Sequence, residues 1–289
     1  MNVAVSARCA NASKTPGAKA SGVFVAVLIS LSALLSSFIL LAAQTAACPV
    51  PDALPSERVQ VVAVHDGDSV RLADGRRVRL IGINAPELAR DGRAAEALAL
   101  DAGHALRQAV SGKEVRLFYD RDRKDHYGRT LAYLYLPDGQ SLEAELLRQG
   151  LAFHIGVAPN LALANCLAAS ESEARRAERG VWGHSGWAPK PASTLATNDT
   201  GYQRVSGRIV DVSQAGSAVW LELDGPLVVR VPIAAWSALE KSDLKPGAEV
   251  EVRGWVVDRS GTRAARRGFK PLVINLQSHI GLERRAPPL

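Results

Sequence analysis

The feature that most restricts the fold of this chain is a series of short apolar segments separated by turns that contain Asp and Gly. The segments span 59–64, 70–72 and 78–83, and the turns lie at 66–68 and 74–75. Segments of this length joined by Asp-Gly turns are typical of β-hairpins. The chain is therefore predicted to begin its first folded unit as an antiparallel sheet.

Helical patterns follow this sheet. Residues 92–110 carry apolar side chains at every fourth position, which predicts a helix with Asp91 as its cap. A shorter helix is predicted at 142–148. Asn160 is predicted to cap a further helix that runs to Gly180, a residue type favoured just beyond a helix end.

Strand patterns at 115–119 and 131–136 complete a unit that covers residues 58–183. Short strands with two or three helices predict a mainly β fold with some α, built as a small barrel. Residues 184–199 contain Pro, Ser and Thr without periodicity and are predicted to form a linker. Residues 200–285 again alternate apolar and polar side chains, which predicts a second small all-β domain, with a five-stranded barrel as one way to close it.

The N-terminal segment, residues 1–50, has the composition of a targeting sequence. Its first part is basic, no charge occurs between Ser21 and Val50, and residues 22–43 are almost wholly apolar. This pattern predicts an export signal. The apolar run is also long enough to span a bilayer, so an uncleaved anchor is an alternative, and a lipoprotein signal ending at Cys48 is a third. We expect an exported protein that is periplasmic, secreted or anchored in the inner membrane by residues 22–43.

Two cysteines, Cys48 and Cys166, remain outside the first part of this segment. In an oxidising compartment they would form one disulfide, and two buried free thiols are the alternative. The chain has no CxxC or His-rich spacing typical of zinc sites. The formal net charge is +6 and the pI is near 9.4, which suits a polyanionic partner but equally a mildly basic soluble protein.

Two turns or strand exits carry oxygen ligands. Asp66-Gly67-Asp68 places two carboxylates in a tight turn, and Asn84-Ala85-Pro86-Glu87 places an amide, a backbone carbonyl and a carboxylate after a strand. Hard oxygen donors suit calcium better than zinc. Each piece alone is most often structural, since Asp-Gly-Asp is commonly a hairpin turn.

Taken in order, the motifs resemble those of the thermonuclease (staphylococcal nuclease) family over residues 58–183. The matching segments are Asp66–Val70, Arg79–Glu87, Asp125–Arg129, Arg148–Ala152 and Glu173–Trp182. The resemblance implies a five-stranded barrel of the oligonucleotide-binding (OB) type with three helices. It also implies hydrolysis of phosphodiester bonds in DNA or RNA with Ca²⁺ as cofactor.

The resemblance assigns a calcium site. Asp68 would bind the ion directly, Asn84 and the carbonyl of Ala85 would supply two more ligands, and Asp66 would support the site. Glu87 would activate the attacking water.

It also assigns a substrate site. Arg79 and Arg129 would hold the phosphate, a task that suits the guanidinium fork. His126 and Tyr127 would lie near a neighbouring phosphate or sugar. The catalytic set is therefore predicted to be Arg79, Glu87 and Arg129.

The chain departs from the family pattern at two places. Asn84 stands where the family commonly has Asp, which predicts weaker calcium binding. The segment Phe153–Asn160 contains no tyrosine, whereas the best-known family member has base-stacking tyrosines there. Because stacking is worth about 1–3 kcal/mol per base, base preference or substrate grip is expected to differ.

Two functions from different classes follow. The first is a monomeric, calcium-dependent nuclease acting outside the cytoplasm. The alternative is a catalytically weak module that binds nucleic acid or an envelope protein. For residues 200–285 the partner is not predicted, although a basic loop that includes Arg259 and Lys270, flanked by Trp255 and Phe269, could either grip nucleic acid or be a solvated hairpin.

Overall fold

The computed structural model describes residues 48–239, 243–263 and 268–285. The predicted signal or anchor lies outside these residues, apart from its last three. Two arginines of the basic loop, Arg266 and Arg267, lie outside them as well. Among the described residues no helix is long and apolar enough to cross a membrane.

The first folded unit is a closed five-stranded barrel with three helices. Its elements, in chain order, are β1 (Ser56–Asp66), β2 (Ser69–Leu72), β3 (Arg77–Leu80), β4 (Ile83–Asn84), α1 (Ala99–Val110), β5 (Glu114–Phe118), β6 (Thr130–Tyr135), α2 (Leu142–Arg148), β7 (Phe153–His154) and α3 (Ala164–Arg176). The barrel order is β1-β2-β3-β6-β5, in which β3 and β6 run parallel and the other pairs are antiparallel. The prediction of an OB-type barrel with three helices is confirmed.

Alternation along the strands fills the barrel. In β3, Val78 and Leu80 are buried while Arg77 is exposed, and in β5 Val115 and Leu117 are buried on either side of Arg116. This is the period of two expected for a half-buried strand. Outside the barrel, β4 and β7 form a separate two-stranded ribbon that pairs Asn84 with Phe153.

The first helix begins later than predicted. Helix α1 starts at Ala99, not at residue 92, and its preceding residue Leu98 has a left-handed φ of 70°. The cause is a local pairing: the Glu96 N–H donates to the Glu87 carbonyl at 2.9 Å, and the Glu96 carboxylate accepts from the Glu87 N–H at 2.8 Å. These contacts compete with helix formation. Asp91, predicted as the cap, lies in a turn with φ 51°.

Helix α3 is also shorter than predicted, because it begins at Ala164 rather than after Asn160 and ends at Arg176 rather than near Gly180. The Asn160 amide is used elsewhere. It accepts from the Asp122 N–H and donates to the Asp122 carbonyl, both at 2.8 Å. A disulfide joins α3 to the start of the described chain through Cys48 and Cys166, whose Cα atoms are 5.2 Å apart.

The second folded unit contains most of residues 184–285. Its elements are β8 (Lys190–Pro191), β9 (Gly201–Ala215), β10 (Ala218–Leu223), β11 (Leu227–Pro232), α4 (Ile233–Trp236), β12 (Glu249–Asp258), β13 (Leu272–Asn275) and β14 (Leu282–Arg284). The pairings β9-β10-β11-β13-β12 return to β9 and so close a ring of five strands, with β11 and β13 parallel. This is the strand order and orientation of the first barrel.

The connection between the barrels is packed along them. Of the segment predicted as a linker, Trp187, Ala192 and Leu195 are buried. The Trp187 ring N–H donates to the Ala97 carbonyl of the first barrel at 2.9 Å, and the Trp187 carbonyl accepts from Arg204 of the second at 2.9 Å. The segment therefore contributes to both cores.

Candidate active site

The turn between β1 and β2 is pressed against two neighbours. A Cβ on Gly67 would lie 2.5 Å from the Cβ of Ala102 in α1 and 2.6 Å from the Cβ of Ala85. Glycine is required here because of this close approach. The Asp66 carboxylate shapes the turn, since its Oδ1 accepts from the Asp68 N–H at 3.1 Å.

The Asp68 carboxylate is buried beneath the surface of the site, with 4% of the residue exposed. Its Oδ1 accepts from the Ser69 hydroxyl at 3.0 Å, and its Oδ2 accepts from the Ala85 N–H at 2.8 Å. Burial raises the pKa of Asp68 to about 7, and the nearby Arg79 guanidinium opposes that rise. The ion pair with Arg79 thus favours the charged carboxylate.

Arg79 joins this carboxylate to the end of β4. Its Nη2 lies 2.9 Å from Asp68 Oδ2 and 3.2 Å from Asn84 Oδ1, and its Nη1 donates to the Leu80 carbonyl at 2.9 Å. A positively charged nitrogen therefore already lies within hydrogen-bonding distance of both side-chain oxygens. The predicted ligands Asp68, Asn84 and Ala85 are brought together.

These residues fit a hard cation. The oxygens come from one carboxylate, one amide and the adjacent backbone of Ala85, which is the donor chemistry that calcium accepts. The Asp68 and Asn84 oxygens both lie within hydrogen-bonding distance of Arg79 Nη2, which supports this fit. Across the described residues, no three His, Cys, Asp or Glu side chains group as potential metal ligands. Of the two predicted carboxylates, Asp68 contacts Arg79, whereas Asp66 accepts from the Asp68 backbone N–H.

Glu87 follows the metal-binding candidates and is exposed. Its backbone is fixed on both sides by Glu96 through the two hydrogen bonds described above. Partial burial raises the pKa of Glu96, and the nearby charge of Glu87 adds to the rise. Glu96 was not predicted as a site residue, because it lies in a segment with helical spacing. That pattern gives no indication that its carboxylate will bond the backbone of Glu87.

The loop before β6 presents the second arginine. Arg129 Nε lies 2.7 Å from Asp125 Oδ2, while Asp125 Oδ1 accepts from the backbone N–H groups of Tyr127 and Arg129. Burial favours the protonated acid, but the hydrogen bonds from Arg129 lower the pKa of Asp125. The His126 and Tyr127 rings lie 3.8 Å apart between centroids, and 67% of Tyr127 is exposed.

One cleft of about 760 Å³ collects most of the predicted residues. The predicted residues that line it are Arg79, Asn84, Glu87, His126, Tyr127 and Arg129. Asp68 lies behind the wall, bonded to Arg79, and Asp66 and Ala85 flank it in the turn and the strand exit. The disulfide cysteines do not line the cleft.

Six further polar or aromatic side chains line the cleft and were not predicted as site residues. They are Arg77, Arg90, Asp122, Asp125, Asn160 and Trp255. Arg77 and Arg90 flank predicted residues in the sequence, so proximity could have suggested them. Trp255 comes from β12 of the second barrel, and local sequence carries no signal for how two barrels dock.

The cleft is suited to an anionic substrate. Guanidinium groups approach it from β3 and from the loop before β6, an exposed carboxylate stands at the end of β4, and hard oxygens lie beneath. These three elements suit metal-assisted hydrolysis of a phosphate ester, which uses cations for the phosphate, a proton acceptor for water and a site for a metal ion.

Comparisons with known proteins agree with this geometry. Residues 77–184 match the family described as Staphylococcal nuclease homologue. The chain is 33% identical to a thermonuclease of Staphylococcus intermedius over 129 residues, which are 44% of this chain and 76% of that protein. It is 34% identical to an uncharacterized endonuclease of Escherichia coli over 127 residues, 43% of this chain and 75% of that protein. It is also 32% identical to an endonuclease of Bacillus subtilis over 127 residues, 42% of this chain and 60% of that protein.

Proposed function

Since this chain belongs to the staphylococcal nuclease family and is a phosphodiester-hydrolysing nuclease, we propose that it cleaves nucleic acid outside the cytoplasm and depends on calcium. The observation that supports this most is the meeting of Arg79, Glu87 and Arg129 in one cleft above the buried Asp68.

Asp68, Asn84 and the Ala85 carbonyl would hold the calcium ion, and Asp66 would keep the turn in place. A bound calcium ion would supply positive charge that offsets the charge growing on the phosphate oxygens. With Asn84 in place of a carboxylate, the site carries one negative charge fewer, so its calcium affinity is expected to be modest.

Glu87 is the candidate acceptor for the proton of the attacking water. It is the exposed carboxylate at the end of β4, and Glu96 fixes its backbone. A base must lie within hydrogen-bond reach of the proton that it removes, so a fixed backbone favours this role.

Arg79 and Arg129 would bind the phosphate from two sides of the cleft. In the absence of substrate each guanidinium is paired with a carboxylate, Asp68 or Asp125, which holds it in a defined position. Two-point binding by such groups stabilises an oxyanion more in the transition state than in the ground state when the geometry is fixed in advance. His126 and Tyr127 lie at the same cleft and are candidates for contacts with the adjoining phosphate or sugar.

Export is supported by the basic and apolar N-terminal residues 1–43 and by the disulfide between Cys48 and Cys166. Disulfides persist in oxidising compartments and are rare in the cytosol. We propose a periplasmic, secreted or inner-membrane-anchored location, and a monomer.

One observation favours a second reading. Because Asn84 brings no charge to the ligand set, the chain could bind nucleic acid while turning over slowly. In that case the cleft would serve mainly for binding.

The test is a cleavage assay of the full chain on single- and double-stranded DNA and RNA, with calcium or with chelator. We expect cleavage in calcium and none in chelator. Glu87→Gln should lower kcat by about 10²- to 10⁴-fold, the usual contribution of a general base. Arg79→Ala should lower kcat/KM by about 10²-fold or more, as for loss of one group that stabilises the oxyanion.

Glu114→Gln is the matched control, because Glu114 is an exposed glutamate on β5 that pairs with Arg58 outside the cleft. It should cleave like the wild type. Activity that persists in chelator would contradict the calcium dependence. Activity that persists in Glu87→Gln and Arg79→Ala would contradict the assigned roles. Tight binding with negligible turnover would favour the second reading.

A further inference from the structure

Trp255 is an aromatic residue of β12, and 44% of it is exposed. Its neighbours in the strand, Gly254 and Val256, are buried. Leaving part of a large apolar ring in water forgoes stabilisation that further burial would provide. Trp255 lines the candidate active site, as do the apolar residues Ile155 and Val157.

The indole is held there by a row of aromatic rings. Trp255 pairs across the sheet with Tyr202, and the two rings meet edge to face at 5.1 Å and 77°. Tyr202 in turn packs against Phe153 at 5.2 Å. Phe153 is the residue of β7 that pairs with Asn84. The row therefore links the exposed indole to the strand that carries a predicted calcium ligand.

A buried ion pair fixes β12 close to this point. Arg253, two residues before Trp255, binds the Glu171 carboxylate of α3 through two hydrogen bonds of 2.8 and 3.0 Å. Both side chains are almost completely buried. The Glu171 carboxylate also accepts from the backbone N–H of His154 at 2.6 Å. The position of Trp255 in the cleft is thus set by contacts between the two barrels and not by a mobile loop.

The cleft consequently has two chemically different parts. Arg79 and Arg129 supply the charge that attracts a phosphate, and Trp255 supplies a flat apolar face. Carboxylates line the cleft too: Asp125 is paired with Arg129, Glu87 is the candidate base, and Asp122 is a further acid on the wall. A nucleotide presents the same combination, an anionic phosphate joined to a flat ring with two π faces.

We propose that Trp255 is the platform on which an unpaired nucleobase next to the scissile phosphate stacks, so that the second barrel completes the substrate site of the first. This inference rests on the proposed nuclease function. It also predicts substrate preference: a base can stack on Trp255 only when it is released from its duplex, so single-stranded or locally melted nucleic acid is the favoured substrate.

The test compares the full chain with Trp255→Ala, Trp255→Phe and Trp255→Leu on a single-stranded oligonucleotide. Because stacking on an aromatic side chain is worth roughly 5- to 150-fold in affinity, Trp255→Ala should raise KM by about that factor with kcat changed less than about threefold. Trp255→Phe, which keeps a flat ring, should stay close to the wild type. Trp255→Leu keeps an apolar contact with Tyr202 without a ring, so it should resemble Trp255→Ala and serve in its place if Trp255→Ala does not fold.

Phe269→Ala is the matched control, since Phe269 is an exposed aromatic residue of the second barrel that does not line the cleft. Its KM should equal that of the wild type. On a fully paired duplex, the ratio of KM between Trp255→Ala and the wild type should be smaller than on the single strand. An unchanged KM in both Trp255→Ala and Trp255→Leu would overturn the proposal.

A scan of abasic sites along the oligonucleotide gives an independent measurement. In the wild type, removing one particular base near the cleavage point should weaken binding measured in chelator. In Trp255→Ala this loss should disappear, because the base no longer has a partner. An equal loss in both proteins would refute stacking on Trp255. A wild-type chain that never cleaves in calcium would refute the proposed function, and the abasic comparison would still decide the role of Trp255.

Discussion

Replacing Arg253 with Met tests how firmly the second barrel is fixed to the first. Arg253 and Glu171 form a bidentate pair whose side chains are only 3% and 6% exposed. Met fills much of the same volume without the charge. In this variant the Glu171 carboxylate stays buried and keeps its hydrogen bond from the His154 backbone N–H, but it loses the Arg253 guanidinium.

The expected cost follows from that uncompensated charge. Removing one partner of a buried ion pair destabilises proteins by about 3–5 kcal/mol. The second acid on Arg253, Glu283, is less affected because it is 39% exposed and also pairs with Arg175. The free energy of unfolding of Arg253→Met should therefore fall by about 3–5 kcal/mol, mostly through Glu171.

Urea unfolding followed by tryptophan fluorescence and by far-UV circular dichroism measures this cost. Glu171→Gln completes a double-mutant cycle, because its amide oxygen can still accept from the His154 N–H. The double variant should be more stable than the sum of the single changes predicts, by at least about 2 kcal/mol. Additive changes, or a loss below about 1 kcal/mol in Arg253→Met, would refute the view that this pair anchors the barrels.

Three further changes test other parts of the structure. Asn84→Asp adds a negative charge to the oxygen cluster and should tighten calcium binding about tenfold or more, as measured by isothermal titration calorimetry; unchanged or weaker binding would mean that Asn84 is not a ligand. Gly67→Ala should lower the free energy of unfolding by about 1–3 kcal/mol, because its Cβ would overlap Ala85 and Ala102, and a neutral result in urea would contradict that packing. Burial lowers the pKa of His154 from 6.5 to about 4. Between pH 6.5 and 4 the His154 imidazole binds a proton in the unfolded chain but not in the folded chain. The free energy of unfolding is therefore unaffected by His154 above pH 6.5 and decreases by about 3 kcal/mol as the pH falls toward 4. His154→Leu should remove that part of the pH profile, and an unaltered profile would assign the acid sensitivity to other groups.

The first three strands of the first barrel could be predicted because the information for their pairing is local. The turn at Asp66–Ser69 and the strand exit at Asn84–Glu87 lie within short stretches, and hairpin pairing brings such stretches together without long-range choices. The order of the motifs supplied the resemblance to the family, from which the closed barrel was predicted. Membership in the family confirms that resemblance.

Helix boundaries were predicted less well, because tertiary contacts overrode local propensity. Residues 92–98 have the spacing of a helix, yet Glu96 is held by the backbone of Glu87. Asn160 is a good helix cap in isolation, yet its amide is taken by Asp122. In both places a side chain bonds a residue outside its own predicted helix, nine positions away for Glu96 and 38 for Asn160, and a periodicity argument does not include such contacts.

The docking of the barrels lay beyond sequence reasoning for a different reason. Alternation along β12 tells which side chains face the interior of their own barrel, and it places Arg253 and Trp255 on the same side of the strand. The alternation does not predict that Arg253 will be buried against α3 while Trp255 reaches the cleft. That outcome depends on the shapes of two complete surfaces.

The two barrels share strand order but not chemistry, which locates the function of each. The β1–β2 turn carries Asp66 and Asp68, whereas the equivalent β9–β10 turn is Gly216-Ser217 and has no carboxylate. The strand exit after β3 leads to Glu87, whereas β11 leads into the apolar helix α4. At these two described positions the second barrel has neither the acidic ligands nor the base of the first, in keeping with the rule that activity resides in sites and not in folds. What it can add is a surface, and among the residues that the structure describes, Trp255 is the part of that surface that reaches the cleft. A chain without residues 200–285 would keep the groups proposed for hydrolysis and lose the face proposed for the base, so the second barrel should govern which strands are cut and how tightly they are held.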